Sequence, residues 1–111
     1  MPSKKKPASS KRASLPRAVD YTRAFSKDWE RLERSGRYDM RRLKAAMLLL
    51  IANDAPLGPE WLDHPLKGEW DGNRECHIGG DFLLIYRLAD VSPAGVVVFV
   101  RTGTHAELFN E

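Results

Sequence analysis

A single cysteine, Cys76, stands in the whole chain. No internal disulfide can staple the fold, and this usage fits a reducing, cytoplasmic setting. Apolar runs are short as well. The longest, Ala45–Ala52, falls far below the roughly 20 residues that a membrane span needs, so no membrane role is expected. No HxxxH or CxxC pair occurs, so the common zinc-ligand spacings are missing. Acids are absent from residues 1–19, which hold Lys4, Lys5, Lys6, Lys11, Arg12 and Arg17. That stretch also lacks the apolar core of a secretory signal.

Its six positive charges leave twelve basic and fifteen acidic residues on the rest, a net −3. The pI near 9.2 therefore belongs to the leader and not to the body. Residues 1–16, rich in Ser, Pro and Lys with little to bury, read as a basic flexible tail. Such a tail serves solubility or a weak, salt-sensitive grip on RNA phosphates. Residues 17–111, in a chain that is 42% hydrophobic, are enough for one domain that folds without metal or disulfide.

Arg17–Thr22 alternates in polarity and predicts a short strand. Ser26 is placed to cap a following helix that stops at Ser35-Gly36, where glycine accepts the left-handed backbone of a helix end. Asp39 caps a second helix. Its Met40, Leu43, Met47, Leu50 and Ile51 form a stripe facing a core, with Arg41, Arg42 and Lys44 on the other side. Pro56, Gly58 and Pro59 end it and open a loop through Trp61 to Pro65. Four strands are then predicted, Glu69–Trp70, Arg74–Ile78, Phe82–Leu88 and Val96–Arg101, separated by turn-forming residues. The last two are apolar on both faces and belong mid-sheet. The whole is an α+β domain.

All three histidines, His64, His77 and His105, fall in the second half of the chain, at or near strand ends and loops. Alternation in Arg74–Ile78 sends Cys76 and Ile78 one way and Glu75 and His77 the other. With Cys76 and Ile78 on the core side, His77 projects from the wetter face, with Phe82 within reach of it. Imidazole exchanges protons near neutral pH, and two imidazoles with a carboxylate such as Asp81 can serve as base and acid in one reaction. A guanidinium such as Arg101 can steady charge on a phosphate. Those parts suit metal-free RNA cleavage with the 2′-hydroxyl as nucleophile. Cys76 and His77 are adjacent on a strand and point apart, which speaks against zinc, and Cys76 reads as a small buried hydrophobe. Residue types and spacing alone define no more than a general acid–base site.

Four ordered blocks carry a resemblance to a known family: Asp63–Gly68 (DHPLKG), Trp70–Ile78 (WDGNRECHI), Asp81–Arg87 (DFLLIYR) and Arg101–Phe109 (RTGTHAELF). Together they resemble the YafQ family of the RelE superfamily, toxins of bacterial type II toxin–antitoxin modules, over about Val19 to Phe109. The resemblance implies a RelE-like fold, two N-terminal helices packed on a four- to five-stranded antiparallel sheet. It implies a ribosome-dependent endoribonuclease, an mRNA interferase, that cuts mRNA in the A site without a metal or other cofactor. The active-site residues carried over are His64, His77, Asp81 and His105, with Phe109. Phe82 stands where relatives often carry Trp and keeps an aromatic for base stacking. Because the body is weakly acidic, Arg74, Arg87 and Arg101 are expected to supply the local substrate contacts. The expected partners are a cognate antitoxin, the ribosome and mRNA, and operator DNA only through the antitoxin, with the Arg41, Arg42 and Lys44 face as a docking candidate. The rival reading is a non-catalytic module that acts with an antitoxin as a transcriptional co-repressor; a metal-dependent hydrolase is a third.

Overall fold

The computed structural model describes residues 15–52, 57–91 and 93–109. The basic segment 1–14, and the Pro56 expected to end the second helix, lie outside the described residues. The chain runs β1 (Ala18–Tyr21), α1 (Arg23–Ser35), α2 (Met40–Ala52), β2 (His64–Pro65), β3 (Arg74–Gly79), β4 (Phe82–Ala89), β5 (Val96–Thr104) and α3 (His105–Phe109). The strands form one sheet in the order β1-β5-β4-β3-β2. β2 to β5 pair antiparallel as expected, whereas β1 lies parallel to β5. A parallel neighbour needs a long crossover, and here everything between β1 and β5 supplies it. The apolar β4 and β5 are interior strands of the sheet, and Phe82 through Tyr86 are all buried.

Two local expectations are corrected. The cap of α1 is Thr22 and not Ser26: the Thr22 hydroxyl accepts from the Phe25 N–H (2.9 Å) and donates to the Val100 carbonyl (2.6 Å). Thr22 ends β1 in extended geometry, so the helix begins one turn earlier than a cap at Ser26 would allow. Glu69–Trp70 is not a strand but part of a 3-10 turn, Gly68–Trp70. The edge strand is instead His64–Pro65, paired with Glu75 and Arg74. Proline is tolerated on such an edge because its missing N–H is not needed there. Gly36 (φ 70) ends α1 in the left-handed conformation, and Asp39 Oδ1 accepts the Arg42 N–H (3.0 Å) at the start of α2.

The helices cover one face of the sheet. Leu43, Ala46 and Leu50 of α2 pack with Phe25 and Leu32 of α1 against Cys76, Ile78, Leu84, Tyr86, Val97 and Phe99, with Met40, Met47 and Ile51 around them. The predicted stripe is therefore core. Arg42, however, turns inward: its Nε donates to the Ile78 carbonyl (2.5 Å) and its guanidinium stacks 4.1 Å over Trp61. The opposite face carries a smaller cluster of Leu83, Ile85 and Leu108, edged by Leu66, Trp70, Val100 and Phe109.

A buried carboxylate fastens α1 to β5. Asp28 Oδ2 accepts from Arg101 Nε (2.6 Å) and the Thr102 N–H (3.1 Å), while Oδ1 accepts from Arg101 Nη2 and Arg31 Nη1, each at 3.0 Å. Burial would raise the Asp28 carboxyl, but the bonds from Arg101, Arg31 and Thr102 outweigh it and hold the group below its ordinary value. Removing one partner of a buried ion pair costs about 3–5 kcal/mol. Asp28→Ala is expected to lower the unfolding free energy by about that much at neutral pH, read by urea denaturation. Because the folded group is depressed, its contribution is complete above the unfolded carboxylate value of about 3.9 and is lost as pH falls below it. The variant should therefore show a shallower loss of stability in acid than the wild type.

Candidate active site

The face of the sheet away from the helices gathers the histidines. On β3, Cys76 and Ile78 point into the helix-side core, and Glu75 and His77 point the other way, as alternation predicts. His64 on β2 pairs with Glu75, and His77 pairs with Leu83 on β4. A β-bulge between His77 and Gly79 adds Ile78 as an extra residue beside the site, a device that re-aims side chains. His105 opens α3 directly after β5. Thr104 and Glu107 cap that short helix reciprocally: the Glu107 N–H donates to the Thr104 hydroxyl (3.2 Å), and the Thr104 N–H to Glu107 Oε1 (2.9 Å). The tight entry needs Gly103, at φ +155, where a Cβ would meet Glu107 Oε1 at 2.7 Å.

The rings form a row. His64 and His77 have centroids 6.1 Å apart, His77 and His105 5.9 Å, and His105 and Phe109 5.8 Å, with Trp70 edge-on to Phe109 at 5.5 Å. Beneath the row lies Glu75, its side chain only 5% exposed. Its Oε2 is 3.2 Å from His77 Nε2, 3.3 Å from His64 Nε2 and 4.0 Å from His105 Nε2. The other nitrogen of His105, Nδ1, is 2.6 Å from Asp81 Oδ1. The His105 bond, with His77 further off, holds the Asp81 carboxyl below its ordinary value despite some desolvation. The His64 Nδ1 is 2.8 Å from the Leu62 carbonyl oxygen. A carbonyl only accepts, so that nitrogen carries a proton and Nε2 is the edge turned to Glu75.

The four residues expected to do the chemistry, His64, His77, Asp81 and His105, are thus together, and Phe109 joins them. Other candidates lie elsewhere. Phe82 is buried in the helix-side core, 5.1 Å ring to ring from Tyr38, and not beside His77. Counting alternation across the Gly79-Gly80 turn fails because the bulge shifts the register. Arg101 is spent on Asp28 and not held free for a phosphate. Arg74 donates to Asp63 Oδ1 (3.3 Å), an oxygen that also accepts the Tyr86 hydroxyl (2.6 Å). Burial and Asp63 push that phenol well above its ordinary value. Arg87 is exposed on β4, on the same face as Leu83 and Ile85. Sequence reasoning missed Glu75 as a member of the site, although it had placed Glu75 on the face of His77. It also missed Trp70, read as a strand residue.

One donor atom each from His64, Glu75 and His77 lies within 4.8 Å of the others. That set fits the three-ligand pattern of a catalytic divalent cation with an open position. The apolar groove of about 400 Å³ formed by Val19, Tyr21, Phe25, Trp29, Met47 and Phe99 is on the helix side, away from the histidines. The histidine row is accessible, with the side chains of His64, His77 and His105 47%, 23% and 35% exposed. Among the described residues no helix is long and apolar enough to cross a membrane.

The family model for the bacterial toxin of type II toxin–antitoxin systems, YafQ, matches residues 17–110. The chain belongs to the YafQ toxin family. The mRNA interferase toxin YafQ of Escherichia coli K12 is 43% identical over 95 residues, spanning 86% of this chain and 98% of the relative. The E. coli DinJ–YafQ toxin–antitoxin complex contains a chain 41% identical, with TM-score 0.72, over 86% of this chain and 99% of that one. A metal-bound toxin from Helicobacter pylori is 34% identical with TM-score 0.71, over 86% of this chain and 100% of that one. The YafQ family assignment agrees with the blocks that carried the resemblance.

Cys76 is fully buried, and burial together with Asp63 and Glu75 pushes its thiol up to about 12. Against an ordinary cysteine near 8.5, the thiolate fraction at pH 8 falls by roughly 10³. The folded protein should therefore react with thiol reagents on the order of 10³-fold more slowly than the urea-unfolded chain, as a colorimetric thiol assay would read.

Proposed function

We propose that this chain is an mRNA interferase, an endoribonuclease that cuts mRNA in the ribosomal A site by metal-independent general acid–base chemistry and is restrained by a cognate antitoxin. The observation that carries the reading is the convergence of three imidazoles and two carboxylates on one open face. The family membership and the relatives named mRNA interferase toxins support it. The DinJ complex of the E. coli relative supports an antitoxin partner, through which any contact with operator DNA would run.

The geometry supports the following chemistry. His77 or Asp81 takes the proton from the 2′-hydroxyl, the 2′-oxygen bonds to phosphorus, the bond to the 5′-oxygen breaks, and His105 returns a proton to that leaving oxygen. The product is a 2′,3′-cyclic phosphate or the 3′-phosphate from its hydrolysis. Asp81 holds the His105 ring by Nδ1, leaving Nε2 toward the reacting atoms, as a carboxylate orients an imidazole in other acid–base sites. His64 orients the phosphate from the other end of the row. Glu75 compensates positive charge on whichever ring is protonated. Phe109 and Trp70 offer faces for a base. Which group is acid and which base belongs to the coupled set and not to single residues.

The body is weakly acidic, with a net −3 beyond residue 19. A free ribonuclease draws affinity from a basic groove. A weakly acidic body suits a substrate delivered by the ribosome. The donor set of His64, Glu75 and His77 favours a second reading, a metal-dependent hydrolase. A cation there would polarise a phosphoryl oxygen as a Lewis acid.

General acid or base groups contribute roughly 10²–10⁴ each. His77→Ala and His105→Ala should each slow cleavage of ribosome-bound mRNA by about that factor and relieve growth inhibition. Undiminished toxicity in both would refute the reading. A 2′-deoxy nucleotide at the scissile position should block cutting, and a chelator should leave it unchanged; loss of activity to the chelator would favour the metal reading.

A further inference from the structure

The chain before β2 carries a network that the proposed chemistry does not use directly. Asp63 Oδ1 accepts from the Tyr86 hydroxyl of β4 (2.6 Å) and from Arg74 Nε of β3 (3.3 Å). Two neighbouring strands thus pin a carboxylate that is 12% exposed and adjoins His64 in sequence. On its other side stands Leu62, at φ 50 and ψ 41. Among the described residues it is the one non-glycine residue with positive φ, a conformation that costs energy for a side chain bearing a Cβ. Leu62 is also 60% exposed, so burial of its own side chain does little to hold it there. What the left-handed turn achieves is to aim the Leu62 carbonyl at His64 Nδ1 (2.8 Å).

We propose that Asp63, clamped by Tyr86 and Arg74, is a positioning residue for His64: it holds Leu62 left-handed, and the Leu62 carbonyl takes the Nδ1 proton, so that Nε2 is the nitrogen that faces Glu75 and the reacting phosphate and donates to them in the charged ring. The chain is tied down immediately beyond Leu62, so the carbonyl cannot swing away without breaking the bonds to Asp63. Released, Leu62 relaxes to negative φ and the ring exchanges freely between tautomers. This is the logic by which the partner of one imidazole nitrogen decides what the other can do. Its effect on catalysis rests on the ribonuclease reading; its effect on the ring does not.

The test uses the full chain. Long-range ¹H–¹⁵N spectra of the histidine rings, taken where His64 is neutral, should show wild-type His64 protonated at Nδ1. Asp63→Asn and Tyr86→Phe should each convert it to a mixture, with His105 unchanged, and lower kcat for cleavage about tenfold or more with little change in KM. Leu62→Gly placed in the Asp63→Asn background should restore the wild-type ring signal and part of the rate, because glycine takes the left-handed geometry freely. A wild-type ring protonated at Nε2, or an unchanged tautomer in a folded Asp63→Asn or Tyr86→Phe variant, would overturn the proposal. If the variants move the tautomer as expected but the wild type cuts no RNA, the positioning role stands and the ribonuclease reading falls.

Discussion

A carboxylate removed from water must be compensated, and the arrangement of the exposed sheet face follows from how Glu75 meets that demand. It sits on β3 with one oxygen within 3.2–4.0 Å of three imidazole nitrogens. Each imidazole comes from a different element: β2, β3 and the start of α3. One buried charge therefore draws together groups that the chain delivers from residues 64 to 105. A neutral ring can serve only by donating an N–H: His77 can do so, whereas His64 and His105, with Nδ1 turned to Leu62 and Asp81, offer one from Nε2 only when charged.

The sheet divides its labour between faces. The helix side holds most of the apolar core, with Leu43, Leu84, Cys76 and Val97 fully enclosed. The other side holds the smaller apolar cluster of Leu83, Ile85 and Leu108 beside the buried Glu75, which leaves room for polar chemistry on a rigid base. Two ties carry precision from one face to the other through β5. Thr22 bonds the Val100 carbonyl at a bulge, and Asp28 grips Arg101 and the Thr102 N–H. Both act within five residues of His105, so the first helix sets where the last histidine stands.

Much of this was legible in the sequence, for identifiable reasons. Alternation in β3 is strict, so the opposite aims of Cys76 and His77 could be read by counting. Gly36 and Asp39 are unambiguous punctuation, and the stripe on α2 has a helical period with nothing to contradict it. The failures cluster where counting breaks. Phe82 follows a two-glycine turn and a bulge, and neither has a fixed register in the sequence. Thr22 and Ser26 both carry hydroxyls ahead of a helical pattern, and only the pairing of β1 with β5 decides between them. Arg101 reads as a phosphate contact and Arg42 as an outward helix cation because nothing local reveals Asp28 or the Ile78 carbonyl as their partners. Glu75 was hidden differently: a glutamate on a wet strand face reads as solvated until three rings are seen to close over it.

The enclosed sulfur of Cys76 has a practical side. Since the native thiol is both shielded and held protonated, a cysteine introduced on the surface would be the one site that a maleimide dye or spin label finds. Such a reporter could test the proposed antitoxin and ribosome contacts by resonance energy transfer, without first stripping the chain of its own sulfur.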